Sequence, residues 1–325
     1  MIIARSPLRI SLGGGGTDLP SYYKKYKGFL IAATINKYVY ISLAETFNQK
    51  FIIKYSDFEE QKKITNIKHP LFRETLRKMN VMTPLNISSH ADIPAGTGMG
   101  SSGCFAVTLI NALSYYQGKR LSSRKIAELA CHIEIDKLKE PVGKQDQYTA
   151  AFGGLNSYEF LRDGSVIIKK IKISKEKIKK LKNNLIIFFT GYSRSSYKIL
   201  QKQDSNTKAL NKLMLNNLHQ IKKIGLESKK ILENGDLNDF GRIMHEHWQY
   251  KKERSQFMTN KKIDFLYNFA IKNGALGGKL IGAGGGGFLL FYTNDSKLLE
   301  KKFAKLGFSK TDFQFDFEGS KLVVK

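Results

Sequence analysis

PAGTGMGSSG, residues Pro94 to Gly103, stands between a strand-like segment, Pro84 to His90, and a segment with helical spacing, Ser101 to Tyr116. Closely spaced glycines let backbone N–H groups approach phosphate oxygens, and a following helix presents unsatisfied N–H groups and the positive end of its dipole. In that position the segment reads as an anion cradle, although a glycine-serine turn can also be a plain connection. Ser101 and Ser102 can cap the helix or offer a hydroxyl to phosphate or magnesium. Walker A is excluded because no Gly-Lys-Ser/Thr closes the segment, and the dinucleotide fingerprint because its glycine spacing differs. A VAIK-type strand lysine, HRD and DFG are all missing, which excludes the protein-kinase arrangement.

Toward the C-terminus, HIEIDKLKEPVGKQDQYTAAFGG, His132 to Gly154, puts Glu134 on the next helix and Asp146 after a Pro-Gly turn, flanked by Lys144 and Gln145. Phosphoryl transfer needs few protein groups: a carboxylate for magnesium, another to orient or deprotonate the attacking hydroxyl, and cations for developing charge. Glu134 and Asp146 can divide those tasks; taken singly they would be ordinary surface acids. Toward the N-terminus, RSPLRISLGGGGTDLPSYY, Arg5 to Tyr23, places Arg9 ahead of a four-glycine turn and Thr17-Asp18 just beyond it. A carboxylate accepting hydrogen bonds from vicinal hydroxyls suits sugar binding. An Asx turn before Pro20 is the structural alternative.

KLIGAGGGGFLLFY, Lys279 to Tyr292, holds two apolar strands around more glycines than a hairpin requires. These permit close backbone approach to a neighbouring loop or to a ligand. In His245-Glu246-His247-Trp248 the two histidines are two apart, so on a helix they face different ways, unlike HExxH. Packing, capping or substrate hydrogen bonding is expected there rather than zinc.

Strands are expected over 2–12, Gly28 to Leu43, Phe51 to Tyr55, Leu155 to Phe160 and Val166 to Ile173. Helices are expected around Leu71 to Met79 and over Ser122 to Leu138, the latter capped by Ser122 or Ser123. Asp163-Gly164 marks a hairpin, and a lysine-rich stretch up to Asn184 marks a boundary between lobes 1–184 and 185–325. Beyond it come a strand at Leu185 to Thr190, polar helices to about Asn273, and strands at Ala275 to Ile281 and Phe288 to Thr293.

At 325 residues, 42% hydrophobic and 11% aromatic, the chain can build two lobes around a cleft and is far from a disordered composition. The formal charge of +26 is spread over both halves, chiefly as surface lysines, and no RNP, helix-turn-helix or finger pattern supports nucleic-acid binding. Such a charge attracts anionic substrates. Cys104 and Cys131 lie in apolar helical patterns, which fits a reducing compartment without disulfides. The early glycines argue against a signal peptide and no apolar run is membrane-spanning, so the cytoplasm and no membrane partner are expected.

Taken together, Pro94 to Gly103, Glu134, Asp146 and Lys279 to Tyr292 resemble, in order and spacing, the three motifs of the galactokinase, homoserine kinase, mevalonate kinase and phosphomevalonate kinase (GHMP) family. Its middle motif runs roughly PxxxGLGSSA; Met99 and Gly103 are the departures here. The resemblance implies an α+β fold with a ribosomal protein S5 domain 2-like N-terminal lobe and a ferredoxin-like C-terminal lobe. It implies ATP over Pro94, Gly96, Gly98, Met99, Gly100, Ser101, Ser102 and Gly103, with Mg2+ held by Ser101 or Ser102 and Glu134. Asp146 would act on the acceptor hydroxyl, and Arg9 would offset charge beside it.

Galactokinases carry a GEHTDY-like segment where this chain has GGGGTDLPSYY. Together with KEPVGKQDQYTAAFGG and MHEHW, that form resembles the branch acting on the anomeric hydroxyl of a heptose 7-phosphate, on the way to nucleotide-activated heptose. Acceptor contacts are then expected from Gly15, Gly16, Thr17, Asp18, Gly284 and Gly285. Lys144, Arg194 or Lys24 and Lys25 are candidates for the phosphate that the acceptor carries. A homodimer is compatible with this reading. Other small-molecule kinases of the family are the nearest alternative, and a basic nucleic-acid-binding protein the distant one.

Overall fold

The computed structural model describes residues 1–193 and 197–324; Arg194, a candidate phosphate contact, lies outside the described residues. The sequence's β-branched and aromatic runs become two sheets. The larger is formed by β1 (Ile2–Gly13), β2 (Gly28–Glu45), β3 (Phe51–Lys54), β4 (Phe58–Gln61), β5 (Leu85–Ala91), β6 (Leu155–Phe160), β7 (Val166–Lys170) and a late strand. Its centre is β2, which is long enough to pair with β1 along one edge and, on the other, with β6 through its first half and β5 through its second. The smaller sheet has β8 (Leu185–Phe189), β9 (Ala275–Leu280) and β10 (Phe288–Thr293) in the order β8-β10-β9. Phe188 also forms a bridge with Lys310 on the outer side of β8. With that bridge standing where a fourth strand would run, the order is that of a ferredoxin-like unit.

The helices are α1 (Pro20–Tyr26), α2 (Pro70–Lys78), α3 (Ser101–Tyr116), α4 (Ser123–Cys131), α5 (Gln145–Phe152) and α6 (Lys175–Asn184) in the first part of the chain. The second part adds α7 (Tyr197–Lys208), α8 (Lys212–Asn234), α9 (Leu237–Glu253), α10 (Lys261–Lys272) and α11 (Ser296–Ala304). The expected cap holds: Ser122 Oγ accepts from Lys125 N at 3.3 Å. Residues 6–13 of β1 and 28–35 of β2 are buried throughout, as a strand covered on both faces must be. Cys104 and Cys131 are buried and unpaired.

The last strand, β11 (Lys321–Val324), crosses back to pair antiparallel with β1, and Phe315 bridges Ile35. We propose that the lobes divide at 184/185, with this tail belonging to the first lobe rather than the second. The expected single helix over Ser122 to Leu138 is instead α4 followed by a π-turn, His132–Lys137. Leu138 N reaches back five residues to Ile133 O. That widened turn carries Glu134, and such insertions concentrate at functional positions.

Candidate active site

Gly96, Gly98 and Gly100 all have positive φ, near 80°, which lets the loop between β5 and α3 coil tightly just ahead of the N-terminus of α3. The loop is held from both sides. Arg9 N on β1 donates to Met99 O at 3.2 Å, and the Met99 side chain is fully buried. From the second lobe, the glycine segment after β9 presses backbone against backbone: a Cβ on Gly287 would lie 2.0 Å from Thr97 O, and one on Gly282 2.4 Å from Gly98 O. The glycine excess in Lys279 to Tyr292 is therefore explained by a seam between two loops.

A cavity of about 690 Å³ opens beside this seam, bounded by both lobes. Gly96, Gly98, Gly100, Ser101, Ser102 and Gly103 line it; Pro94 and Met99 do not, and act as flanks of the loop. Pro94 O accepts from Thr97 Oγ1 at 2.9 Å.

Asp146 enters at the start of α5, seated where Gly100 and Gly103 leave room; a Cβ on Gly103 would lie 2.7 Å from Asp146 Cβ. Arg9 grips its Oδ1 twice, from Nε at 2.8 Å and Nη2 at 2.7 Å. The same guanidinium donates to Gly98 O at 2.5 Å, so acid, cation and loop form one rigid unit. Arg9 is nearly buried, whereas the Asp146 side chain is 30% exposed.

Glu134 is buried behind the loop, accepting from Ser102 Oγ at 2.5 Å and from Gln147 Nε2 at 2.6 Å. Burial raises its pKa from the ordinary 4.5 to about 7. Ser101 Oγ is buried with no hydrogen-bond partner. A carboxylate without a cation and an unsatisfied hydroxyl at the start of α3 are hard oxygen donors that suit magnesium, whose remaining positions water and phosphate oxygens would fill. Ser101, Ser102 and Glu134 therefore fit that ion.

Asp18 is 5% exposed and fixed by backbone amides: Gly16 N to Oδ1 and Gln145 N to Oδ2, each at 3.0 Å. Burial nevertheless raises its pKa above the usual carboxylate value. A Cβ on Gly143 would lie 1.9 Å from Asp18 Oδ2. Gly143→Ala should therefore displace the acid and raise the acceptor KM roughly 10- to 100-fold, the cost of one hydrogen bond to a charged group. Steady-state kinetics in each substrate check this, with the ATP KM expected to hold.

Several expected acceptor contacts are corrected by the geometry. Thr17 does not line the cavity; its hydroxyl is consumed by Gly14 O, Phe29 O and Phe29 N, closing the turn onto β2. Lys144 turns away to the β6–β7 hairpin, donating to Gly164 O and lying over the Tyr23 ring. Gly285 sits behind the wall with its amide donating to Met258 O at 2.9 Å, while Gly284 does line the cavity. Gly15 and Gly16 line it too, but their carbonyls are taken by Arg254 Nη2 and Gln203 Nε2, each at 2.9 Å.

Three cations that sequence reasoning missed come from the second lobe. Lys251, Arg254 and Lys279 line the cavity with His247, all four nearly buried. His247, Lys251 and Arg254 are spaced i, i+4, i+7 at the end of α9, on the stripe that also buries Met244. Cations on an otherwise apolar stripe were the available signal. His245 faces elsewhere, bonding Tyr267 OH through Nδ1 at 2.8 Å. Tyr55, His69, Leu71 and Phe105 of the first lobe make an aromatic slot in the same cavity, with Glu59 accepting from Tyr55 OH and His69 N at 3.0 Å each.

Comparison with known proteins agrees with this arrangement. The GHMP kinases N terminal domain matches residues 66–154, and the GHMP kinases C terminal domain matches residues 228–308. A curated relative, D-glycero-alpha-D-manno-heptose 7-phosphate kinase of Campylobacter jejuni, is 31% identical over 98% of both chains. The solved structure of a D-glycero-D-manno-heptose 1-phosphate kinase from Bacteroides thetaiotaomicron superposes with TM-score 0.81 at 26% identity, covering 99% of this chain and 98% of that one. A Methanococcus jannaschii mevalonate kinase, at 22% identity and TM-score 0.73 over 96% and 98%, shares the fold. Matched by both domain models and by a 31% identical relative along nearly its whole length, the chain belongs to the GHMP kinases, as an ATP-dependent sugar or sugar-phosphate kinase.

Proposed function

We propose that the protein transfers the γ-phosphoryl group of ATP to the anomeric O1 of D-glycero-D-manno-heptose 7-phosphate, giving the 1,7-bisphosphate. The observation that carries this reading is the Arg9–Asp146 unit, which also grips Gly98 O and so ties the acid to the phosphate loop. The aromatic slot of Tyr55, His69 and Phe105 takes the adenine, and the loop amides with the N-terminus of α3 take the phosphates. Asp146 orients the acceptor hydroxyl and receives its proton as the new O–P bond forms, while Arg9 holds the carboxylate in line and offsets charge. Asp18 holds sugar hydroxyls. Ser101 or Ser102 and Glu134 would hold Mg2+, which supplies charge neutralisation across the transferring phosphates when bound.

An ADP-release assay with the heptose 7-phosphate, followed by phosphorus NMR, tests the reaction. A new anomeric phosphate doublet is the expected result; ADP release without one overturns the assignment.

Glu134→Gln separates the metal role from folding. Because the folded pKa of about 7 exceeds the ordinary 4.5, the folded state binds the extra proton between those values, and stability falls as pH rises through that window. At pH 8 without nucleotide the Gln variant should melt a few degrees above the native protein, given a gain on the order of 1 kcal/mol. It should nonetheless need about tenfold more magnesium for half-maximal rate, the effect of losing one ligand-sphere contact. An unchanged magnesium requirement removes Glu134 from the ligand set.

A further inference from the structure

The second lobe brings three cations to the cavity, with the Asp18 carboxyl close enough to Arg254 to favour its charge. Lys251, Arg254 and Lys279 are 5%, 7% and 2% exposed. Their hydrogen-bond partners among the described residues are neutral: Lys251 Nζ donates to Leu280 O and Gly282 O, each at 2.6 Å. Arg254 contacts Asn217 Oδ1, Gln203 Oε1 and Gly15 O. Lys279 Nζ lies 3.1 Å from His247 Nδ1. Three buried like charges repel one another, and burial holds the proton affinity of both lysines well below the ordinary lysine value. Buried charge of this kind persists where an anion completes it.

The nucleotide phosphates are already provided for by the glycine loop and the start of α3, which line the same cavity. Arg254 instead binds the turn that precedes Asp18, donating to Gly15 O, and its Nη1 would lie 2.4 Å from a Cβ on Gly16. The cluster is thus built onto the acceptor end. The glycine contact between α9 and β9, where a Cβ on Gly277 would lie 2.0 Å from Gly241 O, draws helix and strand close enough for both to contribute.

We propose that Arg254, Lys251 and Lys279, with His247, are the receptor for a phosphomonoester dianion carried by the acceptor, and so select sugar phosphates over free sugars. This rests on the sugar-phosphate reading above. A dianion there neutralises the triad, and Arg254 gives the planar fork that a phosphate takes in two hydrogen bonds.

The test is the ratio of kcat/KM for the heptose 7-phosphate to that for the dephosphorylated heptose, in the native enzyme, Arg254→Gln and Lys279→Met. The native ratio is expected to be large and to fall by about 100-fold in each variant, the worth of a charge-assisted contact. The ATP KM should stay within about twofold, a readout that a folding defect would not spare. A native ratio near one defeats the sugar-phosphate reading and this proposal with it. A large native ratio that the variants keep defeats the proposal alone, as does a shift that appears in the ATP KM instead. A crystal of the native enzyme with heptose 7-phosphate gives a check free of mutation: phosphorus more than about 6 Å from both Arg254 and Lys279, beyond any direct contact, overturns it.

Discussion

Asp146→Asn should lower kcat by about three to four orders of magnitude while changing the ATP KM less than about threefold, the pattern of a lost proton acceptor. The substitution keeps the shape of the side chain and an oxygen for Arg9 Nε, now 2.8 Å from Oδ1, so the loop that Arg9 also grips stays in place. What it removes is the negative charge and the site that takes the hydroxyl proton. The buried Arg9 then lacks its counter-charge, and a drop in Tm is expected with the loss of rate. Single-turnover phosphoryl transfer and nucleotide binding separate the two effects. Turnover within tenfold of native would remove Asp146 from the chemistry.

Gly287→Ala should be the most disruptive small change in the protein. Its φ of 94° already excludes a comfortable side chain, and the added Cβ would stand 2.0 Å from Thr97 O, on backbone that cannot swing aside. Opening the seam pushes the phosphate loop out of register with α3, so a loss of roughly 3 kcal/mol in stability and at least tenfold in ATP affinity is expected. Gly274→Ala is the control, because it shares the positive φ, 96°, yet nothing lies within 4 Å of its Cβ. It should cost only about 1 kcal/mol and leave ATP affinity alone. Denaturant melts and nucleotide titrations check both; equal effects at the two positions would mean that strain, not the seam, matters.

Strands β1, β2, β8 and β10 and helix α3 were legible because each has an apolar run or period that holds over most of its length. Short elements escaped that reading. β4 and β11 have four residues each, and α1 shows itself only through Pro20 at its first turn. The π-turn at His132–Lys137 has no signature in the apolar pattern, which is the same for a helix that widens by one residue as for one that does not. Among the site residues, Arg9, Asp18, Glu134 and Asp146 were named from residue type and spacing, and the structure gathers them around one cavity.

Thr17 and Lys144 show the limit. Both stand beside residues that line the cavity, yet each points elsewhere, because in a turn one step along the chain can rotate a side chain away. Arg254, Lys251 and Lys279 show the converse: they are remote in sequence from the acids that line the same cavity, and only the packing of α9 against β9 brings them there. The chain by itself determined the order of elements, the phosphate loop and the acids, since these follow from local pattern and chemistry. Which cations line the cavity, and which glycines are seams between loops, was decided by tertiary structure, because both depend on distances between segments that lie more than a hundred residues apart.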